Sequence, residues 1–187
     1  ANNNNDQILI YNKDGNLIQT GLTGTELLSG GSVVAAEARI VMPPGIYYLS
    51  RIEMGRDCRI EVSPAGPVTV FLDPGNGGDG VVLGQRCLIN AGGATNNAHN
   101  FQVFQTGGDI NFGQKLTMFA AWYAPHSPIV MAQDFDIYGA MVVDGLWFSQ
   151  LEALNGYGFH YDESLGRPRP ADRAMVRSWV EMPPQNN

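Results

Sequence analysis

At 187 residues the chain has room for one good core and a small appendage. Its formal charge of −7 excludes a broad phosphate-binding face and leaves only local basic patches. Charged residues make up 16%, the 23 glycines and 11 prolines suit many short strands and turns, and no apolar run approaches the roughly 18 residues that span a bilayer.

Asp6 to Gly21 reads as a hairpin, with Ile8, Ile10 and Leu17-Ile18 flanking Lys13-Asp14-Gly15-Asn16. Asp-Gly suits a tight turn because both central residues tolerate positive φ. After the break at Ser29-Gly30-Gly31-Ser32, Val33 to Val41 reads as a strand, with a short helix as the alternative. Pro43-Pro44 stops any helix, and Gly45 turns the chain into Ile46-Tyr47-Tyr48.

From Met54 to Leu165 one pattern returns. Gly55-Arg56-Asp57-Cys58-Arg59-Ile60 is answered by Gly84-Gln85-Arg86-Cys87-Leu88-Ile89, then Gly113-Gln114-Lys115-Leu116-Thr117-Met118 and Ala132-Gln133-Asp134-Phe135-Asp136-Ile137. The centres Cys58, Cys87, Leu116 and Phe135 follow one another at intervals of 29, 29 and 19 in the numbering. Apolar residues at every second position mean strands, and a repeat of about 20 residues means stacked coils. The longer intervals carry polar inserts around 73–80 and 92–100. The spacing therefore predicts an all-β fold, a right-handed parallel β-solenoid of about four to five coils. Handedness follows the general rule for parallel crossovers. Twelve residues should point inward: Val68, Val70, Leu83, Cys87, Ile89, Ile110, Phe112, Leu116, Met118, Met131, Phe135 and Ile137. The stack ends near Leu146–Leu154, with either Leu154 aligned on Phe135, or Leu146 and Phe148 aligned on Ile129 and Met131. Phe159 to Leu165 would cap it, Arg167-Pro168-Arg169-Pro170 is a stiff linker, and Met175 to Val180 reads as a last strand.

The residues before the repeat centres, Asp57, Arg86, Lys115 and Asp134, form an outward column of mixed sign, read as a surface ion-pair ladder. Cys58 and Cys87 hold equivalent positions in successive coils, about 4.8 Å apart and within disulfide reach. The alternative is two free thiols packed as small hydrophobes. Asp73, Asn76 and Asp79 lack the spacing of a calcium loop. His99, His126 and His160 are dispersed, so no metal and no cofactor is expected. His160 and Asp162 share a strand face and are read as an orienting hydrogen bond. Among the aromatic residues, Trp122, Tyr123, Trp147 and Tyr157 are the candidate interaction patch.

Met42-Pro43-Pro44-Gly45-Ile46-Tyr47-Tyr48, Gly66-Pro67-Val68-Thr69-Val70-Phe71-Leu72-Asp73, Ala121-Trp122-Tyr123-Ala124-Pro125, Phe135-Asp136-Ile137-Tyr138-Gly139-Ala140 and Phe159-His160-Tyr161-Asp162-Glu163-Ser164-Leu165 occur in that order. The set, with Ser178-Trp179-Val180-Glu181 near the end, resembles the β-solenoid domain of bacterial PilX-like, type IV pilus-associated proteins. The resemblance implies a minor-pilin-like surface protein with the solenoid carried on a small pilin-like β base. It also implies an N-terminal hydrophobic helix absent from this sequence, so the expectation is a soluble piece cut after its anchor. Residues 1–41 would then belong to the base, 42–165 to the solenoid and 166–187 to a linker and return strand.

The expected function is a non-enzymatic display or adhesion module, extracellular and pilus-associated. Its partners would be other pilus subunits, with polysaccharide, host surface or DNA as ligand classes. A carbohydrate-active β-helix enzyme using Asp134, Asp136 or Asp144 is the alternative, and DNA capture by Arg51, Arg56, Arg59 and Arg86 is a third reading. Because such a protein matures in an oxidising compartment, a Cys58–Cys87 disulfide is expected, worth about 3–4 kcal/mol.

Overall fold

The computed structural model describes residues 8–11, 17–22, 39–49, 51–75, 78–91, 97–149 and 157–166. β1 (Ile8–Tyr11) and β2 (Leu17–Leu22) form the expected antiparallel hairpin, and β1 also pairs antiparallel with β3 (Arg39–Met42). All other strand pairs described are parallel.

The chain visits three parallel ladders in a fixed order. The first holds β3, β6 (Arg59–Val62), β9 (Leu88–Ile89), the start of β12 (Leu116–Met131), the start of β13 (Phe135–Phe148) and β14 (Tyr157–Tyr161). The second holds β4 (Gly45–Leu49), β7 (Val68–Leu72), β10 (Phe101–Gln105) and the middles of β12 and β13. The third holds β5 (Ile52–Met54), β8 (Val81–Leu83), β11 (Ile110–Phe112) and the ends of β12 and β13. Together they make one 14-stranded sheet curled into a half-barrel. The described residues contain no α-helix, only short 3-10 turns at Ala98–Asn100 and Glu163–Gly166.

In-register parallel pairing puts like on like. Ile60, Ile89, Met118 and Ile137 form one buried column, and Met54, Leu83, Phe112 and Met131 another. All twelve residues expected inward are buried. Each large side chain taken from water in this way contributes about 1.5–3 kcal/mol. The intervals of the sequence repeat are the register of the first ladder, where Arg59 pairs with Leu88 and Thr117 pairs with both Leu88 and Asp136.

The corners before that ladder are tightly built. Gly84 and Gly113 pass so close to the preceding corner that an added Cβ would run into backbone atoms of Gly55 and Gly84 respectively. Asp57, Arg86, Lys115 and Asp134 all have left-handed backbones, with φ between 56° and 59°. For Arg and Lys that conformation costs on the order of 1–2 kcal/mol. Corner-to-corner hydrogen bonds offset it, from Asp57 N to Gln85 O, Arg86 N to Gln114 O and Lys115 N to Gln133 O, all within 2.9 Å. Asn90 roots the second insert: it is buried, and its side-chain amide donates to the carbonyls of Asn97 (2.9 Å) and Phe119 (3.0 Å).

β3 pairs with both β1 and β6, so the sheet is continuous across residues 41 and 42. Ile129 pairs with Leu146 and Met131 with Phe148, so that alignment holds, while the strand that follows in the first ladder sets Tyr157 on Phe135; Leu154 lies outside the described residues. The cap expected at Phe159 begins as another parallel strand, β14, because Phe159 falls in register on Ile137. The hairpin turn at 13–16, the Arg167–Pro170 linker and the strands expected at 175–181 lie outside the described residues.

Gly113→Ala is expected to destabilise the chain by about 1–3 kcal/mol, since the added methyl must displace backbone. Gly107→Ala, with nothing within 4 Å of its added Cβ, should stay within about 0.5 kcal/mol. Denaturant unfolding of both variants checks this, and equal effects would contradict the close corner packing.

Candidate functional site

The second ladder carries an outward strip without a charged residue. Its two columns are Ile46–Thr69–Gln102–Ala121–Ala140 and Tyr48–Phe71–Phe104–Tyr123–Val142. Alternation sends Tyr47, Val70, Val103 and Trp122 inward and leaves these ten residues on the outer surface. Register then stacks the aromatic residues. Tyr48 lies on Phe71 (centroids 5.3 Å, planes 15° apart), Phe71 on Phe104 (5.3 Å, 21°), and Tyr123 is tilted 51° from Phe104 at 6.3 Å. The end rings are 54% and 50% exposed and the two middle rings 37%, as expected when each middle ring is covered on both sides.

A second feature lies at the far end of the sheet. β14 extends only the first ladder, and no described strand covers β13 along the other two. There an open apolar groove of about 550 Å³ is lined by Met141, Val143, Leu146, Phe159 and their neighbours, with His160 among the lining residues. Outside the first ladder, His160 lies flat on Tyr138 (4.3 Å, 10°), which lies flat on Phe119 (4.4 Å, 6°). Its Nε2 is 3.5 Å from Asp136 Oδ1. An imidazole beside a carboxylate has the form of an acid–base pair, but both groups are about half exposed and make a weakly coupled surface pair.

A family model described as "Domain of unknown function (DUF7305)" matches residues 48–167, from within β4 to just past β14. The chain belongs to the DUF7305 family. No curated protein and no solved structure matches it.

The DUF7305 fold redistributes the residues singled out in the sequence. Trp122 is core, 3% exposed and edge-on to Phe112 at 5.8 Å. Tyr123 and Trp147 are exposed but sit on the second and third ladders, so they form no single patch. The side chain of Tyr157 lies outside the described residues. The expected four-arginine patch is largely neutralised. Arg86 makes a two-pronged pair with Asp57 (both contacts 2.5 Å), Arg59 meets Glu61 at 3.4 Å, and Arg51 meets Glu53 at 2.9 Å. Asp136 rather than Asp162 partners His160, because the next strand in register brings it closer. Asp134, Asp136 and Asp144 fall at a corner, on the first ladder and between the second and third, so one sheet face does not present all three. Asp73 accepts from Thr106 (3.0 Å), and Asp79 from Asn111 (3.1 Å). No group of three or more potential ligands among the described residues is placed to hold a metal ion.

The expected disulfide is absent: Cys58 and Cys87 are buried free thiols. Stacked strands about 4.8 Å apart hold the two Cβ vectors nearly parallel, whereas a disulfide needs Cβ atoms about 3.8 Å apart. Cys87 Sγ instead lies 3.3 Å from Gly55 O and 3.4 Å from Gly84 O. Its hydrogen bond with Cys58, and then burial, push the Cys87 thiol up, which suppresses the reactive thiolate.

Sequence reasoning misses the aromatic strip except for Tyr123. A signal exists, since Tyr48, Phe71 and Phe104 each stand one residue after a buried strand position. Reading it requires the second ladder's register, whose intervals from Tyr48 through Phe71 and Phe104 to Tyr123 are all unequal.

Two measurements follow. Thiol labelling without reductant should find two thiols per chain after unfolding and almost none before; two blocked cysteines would restore the disulfide. Glu61 tests the ion pairs. Its carboxyl is held below its usual 4.5, first by hydrogen bonds from Arg39. A lowered folded pKa adds stability that is present above 4.5 and lost as pH falls through the lowered value. Glu61→Gln should therefore be less stable than wild type at neutral pH and converge with it on acidification, as read by unfolding midpoints from about pH 7 to pH 3.

Proposed function

We propose that the curled sheet is a right-handed parallel β-solenoid of about five coils and that it serves as a non-enzymatic display or adhesion module. In this reading it belongs to a type IV pilus-like extracellular assembly. The cyclic visiting of three in-register ladders supports the solenoid, with handedness from the rule for parallel crossovers. The observation that carries the function is a pair of adjoining, largely apolar surfaces that meet at Ala140 and Val142. The groove of β13 and β14 lies at the end of the stack, and the aromatic strip runs along its side. A rod with an apolar end suits attachment to neighbouring subunits, while a side strip stays open for a ligand. The ordered resemblance to PilX-like proteins supplies the assembly class.

The second reading, a carbohydrate-active enzyme, is favoured by one observation, the Asp136–His160 pair beside the groove. Three ion-paired arginines of four weaken DNA capture.

Two tests decide between these readings. The coding sequence upstream of Ala1 should encode a hydrophobic pilin-type helix, and the full-length product should co-isolate with sheared surface fibres. Loss of both outcomes overturns the assembly reading. In parallel, incubation with neutral and acidic polysaccharides should release no reducing ends. Turnover abolished by Asp136→Asn or His160→Ala, or by substitution of Asp134 or Asp144, would replace the display module with the enzyme.

A further inference from the structure

We infer that the second-ladder strip binds an extended, uncharged polysaccharide lying along Tyr48, Phe71, Phe104 and Tyr123. The inference deepens the display reading by naming the class of ligand, and rests on that reading for its setting.

The size of the strip argues first. Five strands about 4.8 Å apart and two outward positions per strand give a footprint of roughly 20 Å by 10 Å, about 200 Å², which meets the groove only at Ala140 and Val142 on its last strand. A stable protein interface needs about 800 Å² per partner. A second copy of this chain would also bring another net charge of −7 to the contact. A thin polymer needs only a footprint one chain wide.

Charge argues next. None of the ten strip residues is ionisable at neutral pH as Lys, Arg, Asp, Glu or His. Nucleic acids, acidic polysaccharides and anionic lipid surfaces need cationic contacts that the strip does not offer. An uncharged ligand loses nothing there.

The chemistry of the two columns then points to sugar. A pyranose has an apolar C–H face and a rim of hydroxyls. The strip has an aromatic column beside one that contains the Thr69 hydroxyl and the Gln102 amide. The middle rings spend their faces on one another, so they act as an apolar ridge. Two rings keep a usable face. No described ring lies beyond Tyr48, and Tyr123 is turned 51° out of the stack. They stand three strand spacings apart, about 14 Å. A single sugar cannot reach both, so the ligand is a polymer.

The experiment is affinity electrophoresis of the chain through gels containing soluble glucan, mannan or galactan, with alginate and single-stranded DNA as charged controls. At least one neutral polymer should retard the chain, its oligosaccharides should compete, and its monosaccharide should not. Tyr48→Ala and Tyr123→Ala should each weaken the retardation about tenfold, and Trp147→Ala should leave it unchanged. Circular dichroism and thermal unfolding confirm that these surface variants remain folded. Thr69→Glu gives a second route to the same loss by placing a charge in the strip. The inference is overturned if no neutral polymer retards the chain or only charged polymers do. Retardation insensitive to Tyr48, Tyr123 and Thr69, or a strip-dependent dimer in sedimentation, overturns it too. Any such failure leaves the upstream helix and fibre co-isolation untouched, so the display reading stands or falls separately.

Discussion

In-register parallel stacking is the constraint on which the rest depends. Neighbouring strands lie about 4.8 Å apart, so each side chain meets its equivalents above and below rather than an arbitrary neighbour. Buried columns are apolar, as Ile60, Ile89, Met118 and Ile137 are, with Gln105 on Leu72 an exception whose amide donates to the carbonyls of Gly107 and Gly108. On the outer surface Asp57 lies beneath Arg86 and pairs with it, while Arg86 and Lys115 follow one another in the same column. Aromatic columns become ring stacks. Even the backbone repeats: four corners place residues of three types, Asp, Arg and Lys, in the same left-handed conformation. The corner geometry therefore overrides local preference, since Arg86 and Lys115 adopt a φ that their side chains disfavour.

The same constraint explains what could be read from the sequence. The column through Cys58, Cys87, Leu116 and Phe135 was legible because one insert of similar length falls between each early pair. The second ladder was not, because its intervals are unequal. Val68 to Phe101 includes the inserts around both 73–80 and 92–100, whereas Gly45 to Val68 includes neither. Trp122 was misjudged for a related reason. Pro125 and Pro128 mark where β12 passes from the second ladder to the third, but no glycine or proline marks its passage from the first ladder to the second, just before Trp122. Its phase is set by pairing: Trp122 sits on Val103, an inward position.

The thiols show how proximity and bonding can diverge. Equivalent positions bring Cys58 and Cys87 together as the repeat predicts, yet the regularity that aligns them keeps their side chains parallel. Closing an S–S bond would need one strand to shift. That shift would disturb the neighbouring Arg59–Leu88 and Ile60–Ile89 pairs and the Asp57–Arg86 corner. Packed as thiols, the pair fits a column that continues with Leu116 and Phe135.

The two ends of the stack differ, and this bears on what the molecule can contact. At the start, the first ladder is prolonged by β1 and β2, which run antiparallel and so break the in-register sequence. At the finish it is prolonged by β14, which preserves that sequence and leaves a step one strand high beside β13. The edge of β13 that no described strand covers is backed by apolar side chains, and Leu146, Phe159 and Tyr161 are exposed there. The side strip contrasts with it. Along its middle strands, β7, β10 and β12, the backbone groups are paired on both sides, so only side chains remain there to recognise a partner. The end presents a strand edge and apolar side chains, whereas the middle of the side presents rings, a hydroxyl and an amide. Both surfaces follow from the direction in which the chain stacks.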